Sequence, residues 1–214
     1  DTHASVIVTA RNHLAMAQAS GLTTYEIINL NEVRPKIADH NPSVSIAPTD
    51  LAHIIYTSGS TSEPKGVIDV HRNVLHHVMV VTNSSHYCRE DRMTLVRAPS
   101  STGGLANVYS ALLNGACLFP FDVQTKGVAQ LASWLIEHNI TVYHSSATVF
   151  RHFVQTLEKK DDFPHVRLIR LGSEQVTRNE FQRFQQHFPP ECILVNALSC
   201  TEAITFCQNF LNRN

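Results

Sequence analysis

No run of apolar residues in this chain approaches the roughly 20 that a membrane-spanning helix needs, so a membrane partner is not expected. Charge of one sign is also missing. The 17 Lys and Arg face 18 Asp and Glu, for a formal net charge of −1, which argues against nucleic acid as a partner and leaves no acidic tail. The five cysteines form no Cys-x-x-Cys pair and are odd in number, so free or buried thiols in a reducing, cytoplasmic setting are expected. Thirteen histidines invite a metal site, but His71, His76 and His77 on one predicted helix never fall at i,i+3 or i,i+4. Asn83-Ser84-Ser85 fits a glycosylation sequon but reads as a helix-ending turn, since no signal-like segment leads the chain. The sequence begins at Asp1 rather than Met, as expected for a segment of a longer protein.

What the chain does have is concentrated in one stretch, Thr57-Ser58-Gly59-Ser60-Thr61-Ser62-Glu63-Pro64-Lys65-Gly66. Apolar Leu51-Ala52-His53-Ile54-Ile55-Tyr56 leads in and Val67-Ile68-Asp69-Val70 leads out, so the stretch joins two expected strands. Small residues let backbone N–H groups close on an anion, and Lys65 adds a positive charge. A Walker A loop is excluded: counted from Gly59, its second glycine falls on Pro64, and Lys65 is followed by Gly66. Composition alone also fits a Ser/Gly-rich hairpin turn.

The order of residues goes further. Thr-Ser-Gly-Ser-Thr-x-x-Pro-Lys-Gly closely resembles the signature of the adenylate-forming enzymes, which include acyl-CoA ligases, luciferases and the adenylation domains of nonribosomal peptide synthetases. Every fixed position matches except Ser62, which replaces a glycine. The lead-in Leu51 to Tyr56 looks most like the peptide-synthetase branch, and His71-Arg72-Asn73 also fits. The resemblance implies that Thr57, Ser58, Gly59, Ser60, Thr61, Lys65 and Gly66 handle the phosphates of ATP.

Beyond the signature the pattern alternates. Strands are expected at 5–9, 25–30, 51–56, 67–70, 93–97, 117–121, 140–143, 166–171 and 193–195, the last clear one. Helices are expected at 12–19, 71–81, 147–157, around Leu105, Val108, Tyr109 and Leu112, and around Val128, Leu131, Ala132 and Leu135, the last two sets at helical spacing. Asn114-Gly115 suits a helix C-cap, and Thr177-Arg178-Asn179-Glu180 a capping box. Repeated βα units of this kind predict an α/β fold, with mostly parallel sheets covered by helices. The polar stretch from Ser84 to Asp91 marks an expected boundary between sub-domains 1–85 and 86–214. The resemblance makes the whole a fragment of the large N-terminal part of an adenylation domain.

Ligands of such sheets bind beyond the C-terminal ends of the strands. Gly172-Ser173-Glu174 falls at one such end and resembles the family turn whose backbone flanks adenine; a plain strand-to-helix turn is the alternative. Asn196-Ala197-Leu198-Ser199-Cys200-Thr201-Glu202 falls at another and resembles the family's Asn-x-Tyr-Gly-Pro-Thr-Glu; an ordinary helix start is the alternative for Thr201-Glu202. The resemblance implies that Asn196 contacts adenine, Thr201 bonds the α-phosphate and Glu202 holds Mg²⁺, with Leu198 standing in for a stacking tyrosine. Counting back from Ala111-Leu112-Leu113-Asn114-Gly115-Ala116, Thr102 aligns with the aspartate that pairs with the ammonium of an amino-acid substrate. An acid lacking the α-amine is therefore expected, in a pocket lined by Thr102, Gly103, Ala106, His144, Ile169, Leu171, Ala197 and Thr205. The implied reaction forms an acyl-AMP and passes the acyl group to a phosphopantetheine carrier domain or CoA. The 214 residues alone are expected to be inactive, because later family motifs are missing. A degenerate binding module and a free-standing acyl- or aryl-CoA ligase are the other readings. The central expectation is that Lys65 and Glu202 converge on one ATP–magnesium complex.

Overall fold

A computed structural model describes residues 2, 4–19, 25–32, 38, 40–57 and 63–213, the side chain of Ile204 excepted. The chain forms two compact units, Asp1–Ile46 and Ala47–Asn214. In the first, β1 (Val6–Thr9) pairs in parallel with β2 (Glu26–Asn29). Between them a 3₁₀ turn leads into the short helix α1 (Leu14–Ala19).

The second unit opens on an antiparallel hairpin, β3 (Leu51–Thr57) and β4 (Lys65–Val70), with Thr57 opposite Lys65. Helix α2 (His71–Ser85) follows directly. It runs a turn beyond the expected end at Val81 and stops where His86 takes a left-handed φ of 51°. Residues 47–85, expected to belong with the first sub-domain, lie in the same compact unit as 86–214.

Strands and helices then alternate: β5 (Arg92–Leu95), α3 (Thr102–Leu113), β6 (Cys117–Pro120), α4 (Val123–Lys126), α5 (Leu131–Glu137), β7 (Val142–Ser146), α6 (Ala147–Gln155), β8 (Leu168–Gly172), α7 (Arg178–His187), β9 (Ile193–Cys200) and β10 (Ile204–Leu211). Local signals set the helix ends. Ser101 and Ser146 cap α3 and α6, the Thr177–Glu180 capping box opens α7, and Gly115 turns with φ of 68° after α3.

One six-stranded sheet results, in the order β10-β9-β8-β7-β5-β6, parallel except for β10. The α/β class and helix-covered, mostly parallel sheet match the expectation. Two features differ. The last strand does not end at Val195 but continues to Cys200, and β10 returns antiparallel from a turn at 201–203. Thr201-Glu202 is thus a hairpin turn and not a helix start. That turn contains no Gly, Pro or Asn, so the usual hairpin signal is missing.

The sheet is covered by two cores. Tyr143, Phe150, Phe153, Phe163, Phe184, Phe188, Ile169, Leu171 and Leu194 fill the larger one, with α5 and α6 contributing. Burying each such side chain contributes roughly 1.5–3 kcal/mol. The smaller core, on the other face, joins Val81 of α2 and Ala111 of α3 to Met93, Val142, Leu168 and Val195. Side chains on a strand alternate between faces. Two residues on from Val142, Leu168 and Val195, the same face therefore carries His144, Arg170 and Ala197, and the apolar core gives way to a cleft.

Candidate active site

The cleft has a volume of about 200 Å³ and opens at the C-terminal ends of the parallel strands. It sits at the topological switch point. From β5 the chain goes to β6 on one side, then crosses back to β7 on the other, and open α/β sheets bind ligands at that crevice. The N-terminal turn of α3 supplies Thr102, Gly103 and Ala106; β7 supplies His144, β8 Arg170 and Gly172, and β9 with its turn Ala197, Ser199 and Thr201.

Residues chosen from distant motifs meet here. The Thr102 hydroxyl donates to Thr201 Oγ1 at 3.1 Å, across 99 residues of sequence. Thr102, Gly103, Ala106, His144, Gly172, Ser173, Ala197, Thr201 and Thr205 all line the one cleft. Gly172 ends β8, and a Cβ there would meet no protein atom nearer than 3.6 Å. An added Cβ would make only ordinary contacts there, so the protein's own packing does not demand glycine. Ser173 adopts φ of 73°, and its hydroxyl accepts from Arg97 Nη2 at 2.5 Å. Glu174 turns its carboxylate away to accept from Thr148 N at 3.0 Å, at the first turn of α6.

Other expected site residues lie elsewhere. Ile169 and Leu171 are not pocket residues: both are fully buried in the larger core, on the opposite face of β8, and Arg170 between them faces the cleft. The expected count along β8 is one residue out, and a one-residue slip on a strand exchanges its faces. Asn196 and exposed Leu198 alternate with Ala197 and Ser199, and neither borders the cleft. Glu202 borders a second hollow with Asp69, Arg72 and Asn73, at the junction of β4 and α2. Lys65 is exposed and borders neither hollow. Thr57 reaches Lys65 O at 3.5 Å across the hairpin; Ser58, Gly59, Ser60 and Thr61 lie outside the described residues.

Sequence reasoning misses the charged part of the cleft. Arg170 is mostly buried and donates to Gln208 Oε1 at 2.5 Å and Thr205 Oγ1 at 3.2 Å. Arg97 lies over Gly103, whose added Cβ would come within 2.4 Å of the guanidinium. Burial lowers the pKa of both arginines, partly offset by Glu174 at Arg97 and by Tyr87 at Arg170. Neither forms an ion pair among the described residues. Burial, then Arg170 and Arg97, hold His144 at about 3; its Nε2 lies 2.8 Å from the Tyr87 hydroxyl. Burial and Arg170 bring His77 to about 4. Each arginine follows or sits among apolar residues, Leu95-Val96-Arg97 just past β5 and Ile169-Arg170-Leu171 within β8, and that isolated charge is the readable signal.

Comparison with known proteins bears on the family and the fold. The chain is 35% identical over 179 residues to surfactin synthase subunit 2 of Bacillus subtilis, covering 81% of the chain and 5% of that protein. It is 25% identical over 191 residues to tyrocidine synthase 3 of Brevibacillus parabrevis, covering 88% of the chain and 3% of the relative. The chain thus spans only a small part of the length of either relative. Among solved structures, the nonribosomal peptide synthetase FmoA3 superposes with a TM-score of 0.85 at 18% identity, over 97% of this chain and 22% of that one. McyG A-PCP, complexed with phenylalanyl-adenylate, gives 0.79 at 18% identity, over 95% of this chain and 34% of that one. A model of the AMP-binding enzyme family matches residues 1–214 throughout, and the chain belongs to that family.

Proposed function

We propose that this chain is part of an ATP-dependent enzyme that activates a carboxylic acid lacking an α-amino group. One carboxylate oxygen attacks the α-phosphorus of ATP; the new O–P bond forms as the bond to pyrophosphate breaks. A thiol, on a phosphopantetheine carrier domain, then attacks the acyl carbon and AMP leaves. The first step asks the protein mainly for positioning and charge neutralisation.

The observation that carries this reading is the hydrogen bond between Thr102 and Thr201, which joins the acyl-pocket segment to the phosphate segment at the mouth of one cleft. Thr201 is assigned to the α-phosphate. Gly172 and the backbone of Ser173 and Glu174 are assigned to adenine, with Asn196 and Leu198 at its rim. Thr57, Ser58, Gly59, Ser60, Thr61, Lys65 and Gly66 are assigned to the outer phosphates. Glu202 is an exposed carboxylate in a hollow shared with Asp69, the donor chemistry a hard cation takes. Mg²⁺ would be held by one or two carboxylates and the nucleotide's own phosphates. Mg²⁺ would neutralise charge on those phosphates.

Thr102 brings no negative charge to the place where an ammonium would sit, and Arg97 lies beside it over Gly103. An ammonium there would be buried against a like charge. Keto, hydroxy or aryl acids fit better. The 214 residues alone would not turn over. ATP–pyrophosphate exchange by the full-length protein with an acid panel tests the reading. Exchange driven by amine-free acids is expected; exchange with standard α-amino acids alone would overturn it.

A further inference from the structure

Among the described residues, no opposite charge answers that of Arg170. It is held by two neutral oxygens, from Gln208 and Thr205, and no carboxylate reaches it among the described residues. An unpaired buried cation is costly, and such groups normally find a counter-ion. The neighbouring charges do not help, because Arg97 has the same sign and His77 and His144 are neutral at ordinary pH.

Two further groups in the cleft wall lack partners. Asn107 is 8% exposed with Nδ2 unbonded, and His144 is 3% exposed with Nδ1 unbonded. Asn107 Nδ2 can only donate. The nucleotide is a poor candidate for these groups. Arg170 precedes Gly172 by two residues on the same strand face, so it sits roughly 6–7 Å deeper than the turn assigned to adenine.

We propose that the acid accepted by this cleft carries a second carboxylate, bound at its inner end by Arg170 and the Asn107 amide. This rests on the adenylation reading above and names its substrate class: a short dicarboxylic acid without an α-amine. The cleft of about 200 Å³ is bordered by the turn assigned to adenine as well as by Arg170, so the acid held between them is short. One carboxylate reacts at the Thr102–Thr201 end while the other pairs with Arg170.

The test is ATP–pyrophosphate exchange by the full-length protein with glutarate and with its monoamide, glutaramate, which differ only in the charge of the far group. Succinate and succinamate give the same pair one carbon shorter. The dicarboxylate is expected to be used about 10- to 100-fold better in kcat/KM, the range of a charge-assisted hydrogen bond. Arg170→Gln is expected to collapse that ratio towards one. Should that variant fail to fold, Asn107→Asp keeps the side chain's shape, adds a repelling charge and should collapse the same ratio. Equal use of acid and amide by the wild type overturns this inference and leaves the adenylation reading standing. Absence of exchange with every acid, in protein that binds ATP, overturns both.

Discussion

The two ends of the six-stranded sheet treat charge in opposite ways. At the N-terminal ends, Arg167 meets Asp91 through Nε at 2.9 Å and Nη2 at 2.5 Å, and the Thr141 hydroxyl adds a bond of 2.7 Å to the same carboxylate. Remaining guanidinium protons go to the carbonyls of Ser85 and His86, at the end of α2. Burial opposes the charge on Asp91, yet the bonds from Arg167 and Thr141 outweigh it and hold the carboxyl below its ordinary value. At the C-terminal ends, Arg170 of β8, three residues on, and Arg97 beyond β5 have no such partner among the described residues. A satisfied network fastens layers together; an unsatisfied one waits for something from outside. The difference separates a structural arginine from a binding one more cleanly than burial does.

Acid should break the comparison most strongly. Unfolded histidines bind a proton near pH 6.5, whereas folded His144 does so at about 3 and His77 at about 4. Between those values the unfolded chain holds more protons, so stability falls as pH falls. The slope should approach about 2.7 kcal/mol per pH unit for the pair. Urea unfolding at pH 6.5, 5.5 and 4.5 reads it, and a flat profile would show that the cleft histidines are not held neutral. The lowered Asp91 contributes in a separate window, its stabilisation present above about pH 3.8 and lost as pH drops through its folded value.

Asp91→Ala comes next, with an expected loss of about 2–3 kcal/mol. That lies below the cost of breaking a fully buried pair because the Arg167 side chain stays 36% exposed. Thermal melts of this variant beside Arg170→Gln sharpen the contrast, since removing the unpaired arginine should cost far less. Comparable losses would erase the distinction. Thr102→Asp, which supplies the missing anion, should raise exchange with α-amino acids about tenfold relative to the wild type, read by pyrophosphate exchange. Gly172→Ala should leave the melting temperature unchanged or slightly higher, since no protein atom comes nearer than 3.6 Å to the new Cβ. Its KM for ATP should nonetheless rise about tenfold, as overpacking against a ligand costs about 1–3 kcal/mol.

Most of the architecture is legible in the sequence because apolar spacing and capping residues speak locally. The Thr177–Glu180 box falls where expected and opens α7, whose Phe181 and Phe184 pack on the larger core. What escapes is set by pairing between strands. β10 is invisible because Ile204 to Leu211 bears only a weak alternation, interrupted by a bulge between Thr205 and Cys207. The site is legible in part for the same reason. Thr102, His144, Ala197, Thr201 and Thr205 come together, but which face of β8 looks into the cleft depends on register, so Arg170 is passed over for its two neighbours.

Ser173 holds a left-handed backbone that a residue with a Cβ rarely takes, and the Arg97 guanidinium grips its hydroxyl. That cation therefore ties the turn after β8 to the wall of the cleft. In the reading proposed above, with adenine at that turn and the acid's charge near Arg97, acid and nucleotide would sense each other through a single side chain, and thermodynamics would require the message to travel equally in both directions.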